Sequence, residues 1–178
     1  AMGLLTGKTV VVTGVLTDQS IAFHIARLAQ DEGAGVILTS FGRTMSLTKR
    51  SASRLPTEPA IVELDVTNDD DLAQFAARLG EHCETVDGLV HSIGFAPESA
   101  LGGNFLHTPW PDVATAMQVS AYSLASLTMA TKPRMGSEAS VVGLDFDASV
   151  AWPTCDWVGV ATAALDSTAR YLDRALGP

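Results

Sequence analysis

Five short apolar runs rich in β-branched residues are separated by segments carrying the 3.6-residue period of helices, and few architectures accept that alternation. The runs are Thr9-Val10-Val11-Val12, Val36-Ile37-Leu38, Ile61-Val62-Glu63-Leu64, Leu89-Val90 and Ser140-Val141-Val142. Repeated strand-then-helix units of this kind wind around a parallel sheet. Ser20 to Glu32 carries Ile21, Ile25, Leu28 and Ala29 on one stripe, and Leu72 to Leu79 repeats the period more weakly, so both are predicted as crossover helices. Longer helices are expected over Asp112 to Met129 and Asp156 to Leu176. Their Ala, Val, Met and Leu residues spread around more than one face, the pattern of a helix with a second side buried against another subunit. Self-association is therefore expected. Pro97 to Pro111, with Gly102-Gly103, is the one long irregular stretch.

Length and composition agree with one such domain. The chain has 178 residues, against a soft prior of about 150 per domain. It is 47% hydrophobic and 17% charged, too apolar for a disordered chain. Eleven Lys and Arg against 20 Asp and Glu give a net charge of -9. That balance attracts neither phosphate backbones nor anionic lipid, so no nucleic-acid partner and no membrane partner are expected. Cys83 and Cys155 make no disulfide scaffold and no C-x-x-C pair, which suits a reducing compartment. No apolar run approaches the ~18 residues that span a bilayer, and the N-terminus lacks the pattern of a signal peptide. The expected location is cytoplasmic, and the leading Ala1-Met2 reads as a cloning remnant.

In an open parallel sheet, ligands bind beyond the carboxyl ends of the strands, near the point where strand order reverses. The first strand leads into Thr13-Gly14-Val15-Leu16-Thr17-Asp18-Gln19-Ser20-Ile21-Ala22. Gly14 permits a tight turn there, and Ser20 opens a helix whose free N–H groups can hold a pyrophosphate. A GxGxxG fingerprint is absent, and the loop by itself reads equally as an ordinary turn. Ser40-Phe41-Gly42-Arg43 follows the second strand, Asp65-Val66 the third and His91-Ser92-Ile93-Gly94 the fourth. Each alone reads also as a core aromatic, a helix-capping region or a turn. Their succession at consecutive strand ends favours a dinucleotide cleft.

Several segments together resemble the bacterial NADH-dependent enoyl-acyl-carrier-protein reductases of the short-chain dehydrogenase/reductase superfamily. They are the first loop through Phe23-His24, Glu63-Leu64-Asp65-Val66, His91 to Ala96, Val119-Ser120-Ala121-Tyr122 and Gly143-Leu144-Asp145-Phe146-Asp147. The resemblance runs from Gly3 to Gly177 and implies an α/β fold, a doubly wound parallel Rossmann sheet. It implies NAD(H) as cofactor: Gly14, Ser20 and Ile21 at the pyrophosphate, Phe41 beside the adenine, and Asp65 and Val66 at its far edge. Ser92, Ile93, Gly94 and Val119 would line the ribose and nicotinamide side, and Phe146 the acyl pocket.

The family carries Tyr-x6-Lys after the fifth strand. By the flanking Ala151-Trp152-Pro153 and Ala163-Ala164-Leu165, Cys155 stands at the tyrosine position and Thr162 at the lysine position. These are the catalytic positions of the family in degenerate form. The phenol donates to the developing enolate and the ammonium grips the nicotinamide ribose, and donors of this type contribute about 3 to 4 kcal/mol each. A thiol is a weak donor and threonine carries no charge. Cys155 reads either as a nucleophile or as an inert thiol; no Lys or His lies nearby in sequence to activate it.

The family also runs on for roughly another third of its length, with two more strands, a Pro-Gly loop at the nicotinamide and a lid over the acyl chain. Residues 1–178 are accordingly expected to form a single, truncated Rossmann domain of five strands, without the last two family strands. NAD(H) binding is expected to be weak or absent. The functional expectation is a degenerate homologue with a non-redox role. It would be a cyclase- or isomerase-like enzyme on an acyl or polyketide-type small molecule, or a ligand-binding or interaction protein. The alternative is a genuine NADH-dependent enoyl reductase of fatty-acid biosynthesis.

No metal is expected. His82, His91 and His107 have no ligand spacing, His24 matches a family position without a chemical role, and Asp69-Asp70-Asp71 reads as charge at a helix N-terminus.

Overall fold

The computed structural model describes residues 3–177; Ala1-Met2, read above as a cloning remnant, lies outside the described residues. Five strands, β1 (Thr9–Val12), β2 (Gly35–Ser40), β3 (Ala60–Glu63), β4 (Val86–His91) and β5 (Met135–Gly143), form a parallel sheet in the order β3-β2-β1-β4-β5. The order reverses at β1, as a doubly wound Rossmann sheet requires. Between the strands lie α1 (Ile21–Asp31), α2 (Met45–Ala52), α3 (Asp69–Leu79), α4 (Trp110–Met117) and α5 (Ser123–Thr131), and α6 (Asp156–Leu176) follows β5.

The chain divides into two compact units. One comprises the described chain up to Ser92 with Thr128–Val142, the other Ile93–Leu127 with the chain from Gly143 onward. The sheet through Val142 belongs to the first. Its core joins Val10, Val12 and Leu38 of the sheet to Phe23, Ala26 and Ala29 of α1. These positions follow from period: alternate residues of β1 face α1, and the α1 stripe recurs every three or four residues. Burying a Leu38 or Phe23 side chain contributes about 1.5 to 3 kcal/mol.

Ser20 caps α1 by accepting from the Phe23 N–H at 3.1 Å. Asn68 caps α3 by accepting from Asp70 and Asp71, whose acidic first turn complements the helix dipole. At the far end of α3, Arg134 donates to the Ala76 carbonyl at 3.0 Å and lies over Gly80, where a Cβ would meet its guanidinium at 2.1 Å.

β5 is longer than the expected Ser140–Val142 run and occupies the sheet edge, with Val141 and Val142 exposed. An open apolar groove of about 340 Å³ beside it is lined by Leu5, Ile25, Leu28, Val90 and Val142, among others.

In the second unit, Ala121, Leu124, Ala161 and Leu165 form a small core between the α4–α5 segment and α6. The single helix expected over Asp112 to Met129 begins earlier, at Trp110, and is interrupted by a π-helical turn over Gln118–Tyr122. Periodicity carries no mark of one inserted residue, because the apolar stripe shifts without ending. The Pro97 to Pro111 stretch contains two 3-10 turns, Glu98–Ala100 and Phe105–His107. The helix α2 was not among the expected elements; its sequence, Met45-Ser46-Leu47-Thr48-Lys49-Arg50-Ser51-Ala52, has too few apolar positions to set a period.

Candidate functional site

Thr13 joins the carboxyl ends of β1 and β4. Fully buried, it donates from its backbone N–H to the Val90 carbonyl at 3.1 Å and from Oγ1 to the same carbonyl at 2.9 Å. Its Oγ1 also accepts from the Ser92 N–H at 2.9 Å. The chain therefore leaves both strands at one level, and Gly14 follows with φ +77. A Cβ on Gly14 would stand 1.8 Å from the Ser92 carbonyl oxygen. Only glycine fits, for reasons of both conformation and space.

Ser20 lies at the start of α1, and its hydroxyl donates to the Thr17 carbonyl at 2.8 Å, closing the loop that Gly14 opens. Ile21 is 68% exposed, while Ala22 behind it is buried. Phe41 ends β2 in extended backbone with its ring partly exposed.

After β3, the Asp65 carboxylate accepts from the Thr67 N–H and hydroxyl, and its own N–H donates to Asp71 at 2.9 Å. That N–H, with the Arg78 guanidinium 3.0 Å away, holds the Asp71 carboxyl below the usual carboxylate range. Arg78 also donates to the Glu63 carbonyl at 2.8 Å, so α3 anchors the end of β3 and the turn bearing Asp65. Val66 is buried beside it. Gly14, Ser20, Ile21, Phe41, Asp65, Val66 and Ser92 all belong to the first unit.

Ile93, Gly94, Val119, Phe146, Cys155 and Thr162 belong to the second. Gly94 is exposed, with open space where a Cβ would lie. Next to it the buried Ser120 hydroxyl accepts from the Phe95 N–H at 2.9 Å and donates to the Phe95 carbonyl at 2.8 Å. The π-helical turn carries Ser120 and Val119 together, and Val119 is partly buried. Phe146 is 40% exposed. Beside it, burial and the nearby Asp166 raise the Asp145 carboxyl above its ordinary pKa.

Cys155 is partly buried at the start of α6. Thr162, seven residues further along, is buried and donates its hydroxyl to the Val158 carbonyl at 2.8 Å.

Thr13 and Ser120 were not singled out as functional in the sequence. Thr13 could have been noticed as a polar residue closing a run of three valines. Ser120 has no such signal, because small polar residues are common in helices and only the π-helical turn aims this one. Among the described residues no group of three or more His, Cys, Asp or Glu is arranged to hold a metal ion, and no helix is long and apolar enough to cross a membrane.

Two measurements test this geometry. Gly14→Ala should lose at least about 2 kcal/mol in urea unfolding, since a strained φ and a backbone clash coincide. Gly42→Ala, with φ +49 but open space at the Cβ, should lose only about 1 kcal/mol. Equal losses would show that the Ser92 contact has no weight.

Burial pushes the His91 imidazole at the end of β4 down from 6.5 to about 4. Above pH 6.5 this has no effect on stability. Below it the unfolded chain takes up a proton that the folded chain refuses, and stability falls until about pH 4. The loss is roughly 3 kcal/mol. His91→Gln should remove that part of the acid sensitivity, read as urea midpoints against pH.

The sequence model of the family described as "Enoyl-(Acyl carrier protein) reductase" matches residues 14–178. Similar curated proteins include the enoyl-[acyl-carrier-protein] reductase [NADH] of Mycolicibacterium smegmatis, 47% identical over 98% of this chain and 66% of the relative. The protein of the same name from Mycobacterium avium is 44% identical over 99% of this chain and 66% of its own. Another, from Neisseria meningitidis serogroup B, is 37% identical over 99% and 69%. The chain thus spans about two thirds of the length of these relatives. With its β3-β2-β1-β4-β5 sheet and its match through the strand ends and α6, the chain belongs to the enoyl-(acyl carrier protein) reductase family.

Proposed function

We propose that this protein is a degenerate member of its family. It would take NAD(H) weakly, chiefly through the adenosine half, and would use the acyl pocket for a non-redox role on an acyl or polyketide-type small molecule. The observation that carries this reading is Thr162. At the position where the resemblance expects an ammonium, a buried neutral side chain spends its hydroxyl proton on the Val158 carbonyl of its own helix. It offers a nicotinamide ribose neither a charge nor a hydroxyl proton.

The first unit fits an adenine dinucleotide. The first-turn N–H groups of α1, at Ile21 and Ala22, have no carbonyl partner within the helix, and the helix dipole favours an anion there. Gly14 and Ser20 would bring backbone to the pyrophosphate, Phe41 would offer a ring face to adenine, and Asp65 and Val66 would meet its edge. By the resemblance, Ser92 of the first unit and Ile93, Gly94 and Val119 of the second stand at the family's ribose and nicotinamide positions, and Phe146 at its acyl-pocket position. Bound NADH supplies a hydride. At the position of the family's phenol, Cys155 offers only a weak S–H donor, and losing one oxyanion donor costs on the order of a hundredfold or more in rate. Holding the two ends of a flexible acyl chain close accelerates a cyclisation without either missing group.

A second reading, a genuine NADH-dependent enoyl reductase, is favoured by the printed names of relatives at 47% and 44% identity. Absorbance at the nicotinamide band with NADH and a crotonyl thioester separates the two: no turnover is expected, and turnover would establish the second reading. Calorimetry should report NADH binding weaker than low micromolar, and tighter binding would count against the degenerate site.

Self-association is also proposed. Tyr122, Met129 and Tyr171 are exposed on α5, α6 and the preceding π-helical turn, and β5 leaves an apolar edge. Sedimentation at micromolar concentration should find no stable monomer, and Val142→Lys should dissociate or precipitate the protein. A well-behaved monomer would refute it.

A further inference from the structure

Cys155 lies between two residues in left-handed backbone, Thr154 at φ 64 and Asp156 at φ 44. For a β-branched threonine that conformation is an outlier, and such strain persists only where surrounding contacts over-determine it. The contacts come from one segment after β4. Gly102 donates its N–H to the Thr154 carbonyl at 3.0 Å. Gly103 and Asn104 donate theirs to one oxygen of the Asp156 carboxylate, at 2.7 and 2.8 Å. The Trp157 indole N–H donates to the Phe105 carbonyl at 3.1 Å, and the two rings stack with centroids 4.8 Å apart.

Gly102 and Gly103 have φ of +78 and +94, a backbone that glycine adopts without strain, and the N–H groups of Gly103 and Asn104 converge on one anionic oxygen. The anion here is the chain's own carboxylate. The far side of the segment is tied down as well: the Asn104 amide and the Thr108 hydroxyl both donate to the Ser99 carbonyl. The segment after β4 is therefore bonded to both chain neighbours of Cys155. Among the described residues its charge-assisted attachment to that turn is through Asp156, the kind of hydrogen bond that is roughly twice as strong as a neutral one.

We propose that Asp156 is a positioning residue for position 155: its carboxylate clasps the Gly102-Gly103-Asn104 segment to the turn that opens α6 and so sets where the side chain at 155 stands. Its consequence for ligand binding rests on the function proposed above, in which an acyl ligand reaches position 155. The clasp itself does not.

The test reads the thiol directly. Wild type, Asp156→Ala and Asp156→Asn are labelled with N-ethylmaleimide under native conditions, and Cys155 and Cys83 are followed separately by peptide mass spectrometry. Asp156→Ala should label Cys155 at least about fivefold faster, because charged hydrogen bonds that held the turn are gone. Asp156→Asn retains an oxygen that can accept from the same N–H groups and should restore the rate to within about twofold of wild type. Cys83, in the other unit, should be unchanged throughout.

An unchanged Cys155 rate in Asp156→Ala, an equal acceleration in Asp156→Asn, or acceleration of both cysteines would overturn the proposal; the last would mean that Asp156 merely supports the fold. Binding of a crotonyl thioester, measured on the same samples, should weaken in Asp156→Ala and recover in Asp156→Asn. If labelling behaves as expected but wild type binds no thioester, the positioning role stands and the ligand reading fails.

Discussion

One buried hydroxyl holds the two central strands of this sheet in step. β1 and β4 run side by side without being neighbours in sequence, and their register beyond the last ladder bond depends on Thr13. Its Oγ1 gives a proton to Val90 and takes one from Ser92, so the chain just past β1 is tied to the end of β4. This closeness is what forbids a side chain at Gly14. The loop that follows turns at Gly14 and reaches the start of α1 at Ser20, which caps that helix. Fold and candidate cofactor site thus share a cause: the same tie that joins the ends of β1 and β4 sets the turn at Gly14.

The second unit solves a comparable problem without a sheet. Ser120 grips both polar groups of the Phe95 backbone, and a π-helical turn supplies the extra residue that aims it. The hydroxyls of Ser120 and Thr162 both spend their protons on backbone carbonyls. Both hydroxyls are therefore committed to architecture, while the turn bearing the thiol at 155 is bonded through its neighbours.

Strands were legible in the sequence wherever β-branched runs are buried, as in Val10-Val11-Val12, and α1 wherever a stripe and a capping serine coincide. The doubly wound arrangement came from family resemblance, not from pattern, since periodicity cannot say which strand neighbours which. α2 was hidden because its Thr48, Ser51 and Ala52 are buried without being strongly apolar. The role of Asp156 was equally hidden, because a carboxylate in the first turn of a helix ordinarily signals only the dipole, and nothing in the sequence joins it to glycines some fifty positions earlier. The cleft residues could be named by resemblance, but what each touches is a matter of three-dimensional closure.

The contact of Arg134 with Gly80 makes these two positions a coupled pair in sequence space. A methyl at position 80 obliges the guanidinium to shift from its place beside the Ala76 carbonyl, whereas a shortened side chain at 134 removes that donor but frees the space. The second loss makes the first change cheap, so the two substitutions together should cost less than the sum of each alone. In this chain, loss of the arginine therefore opens position 80 to a better helix former.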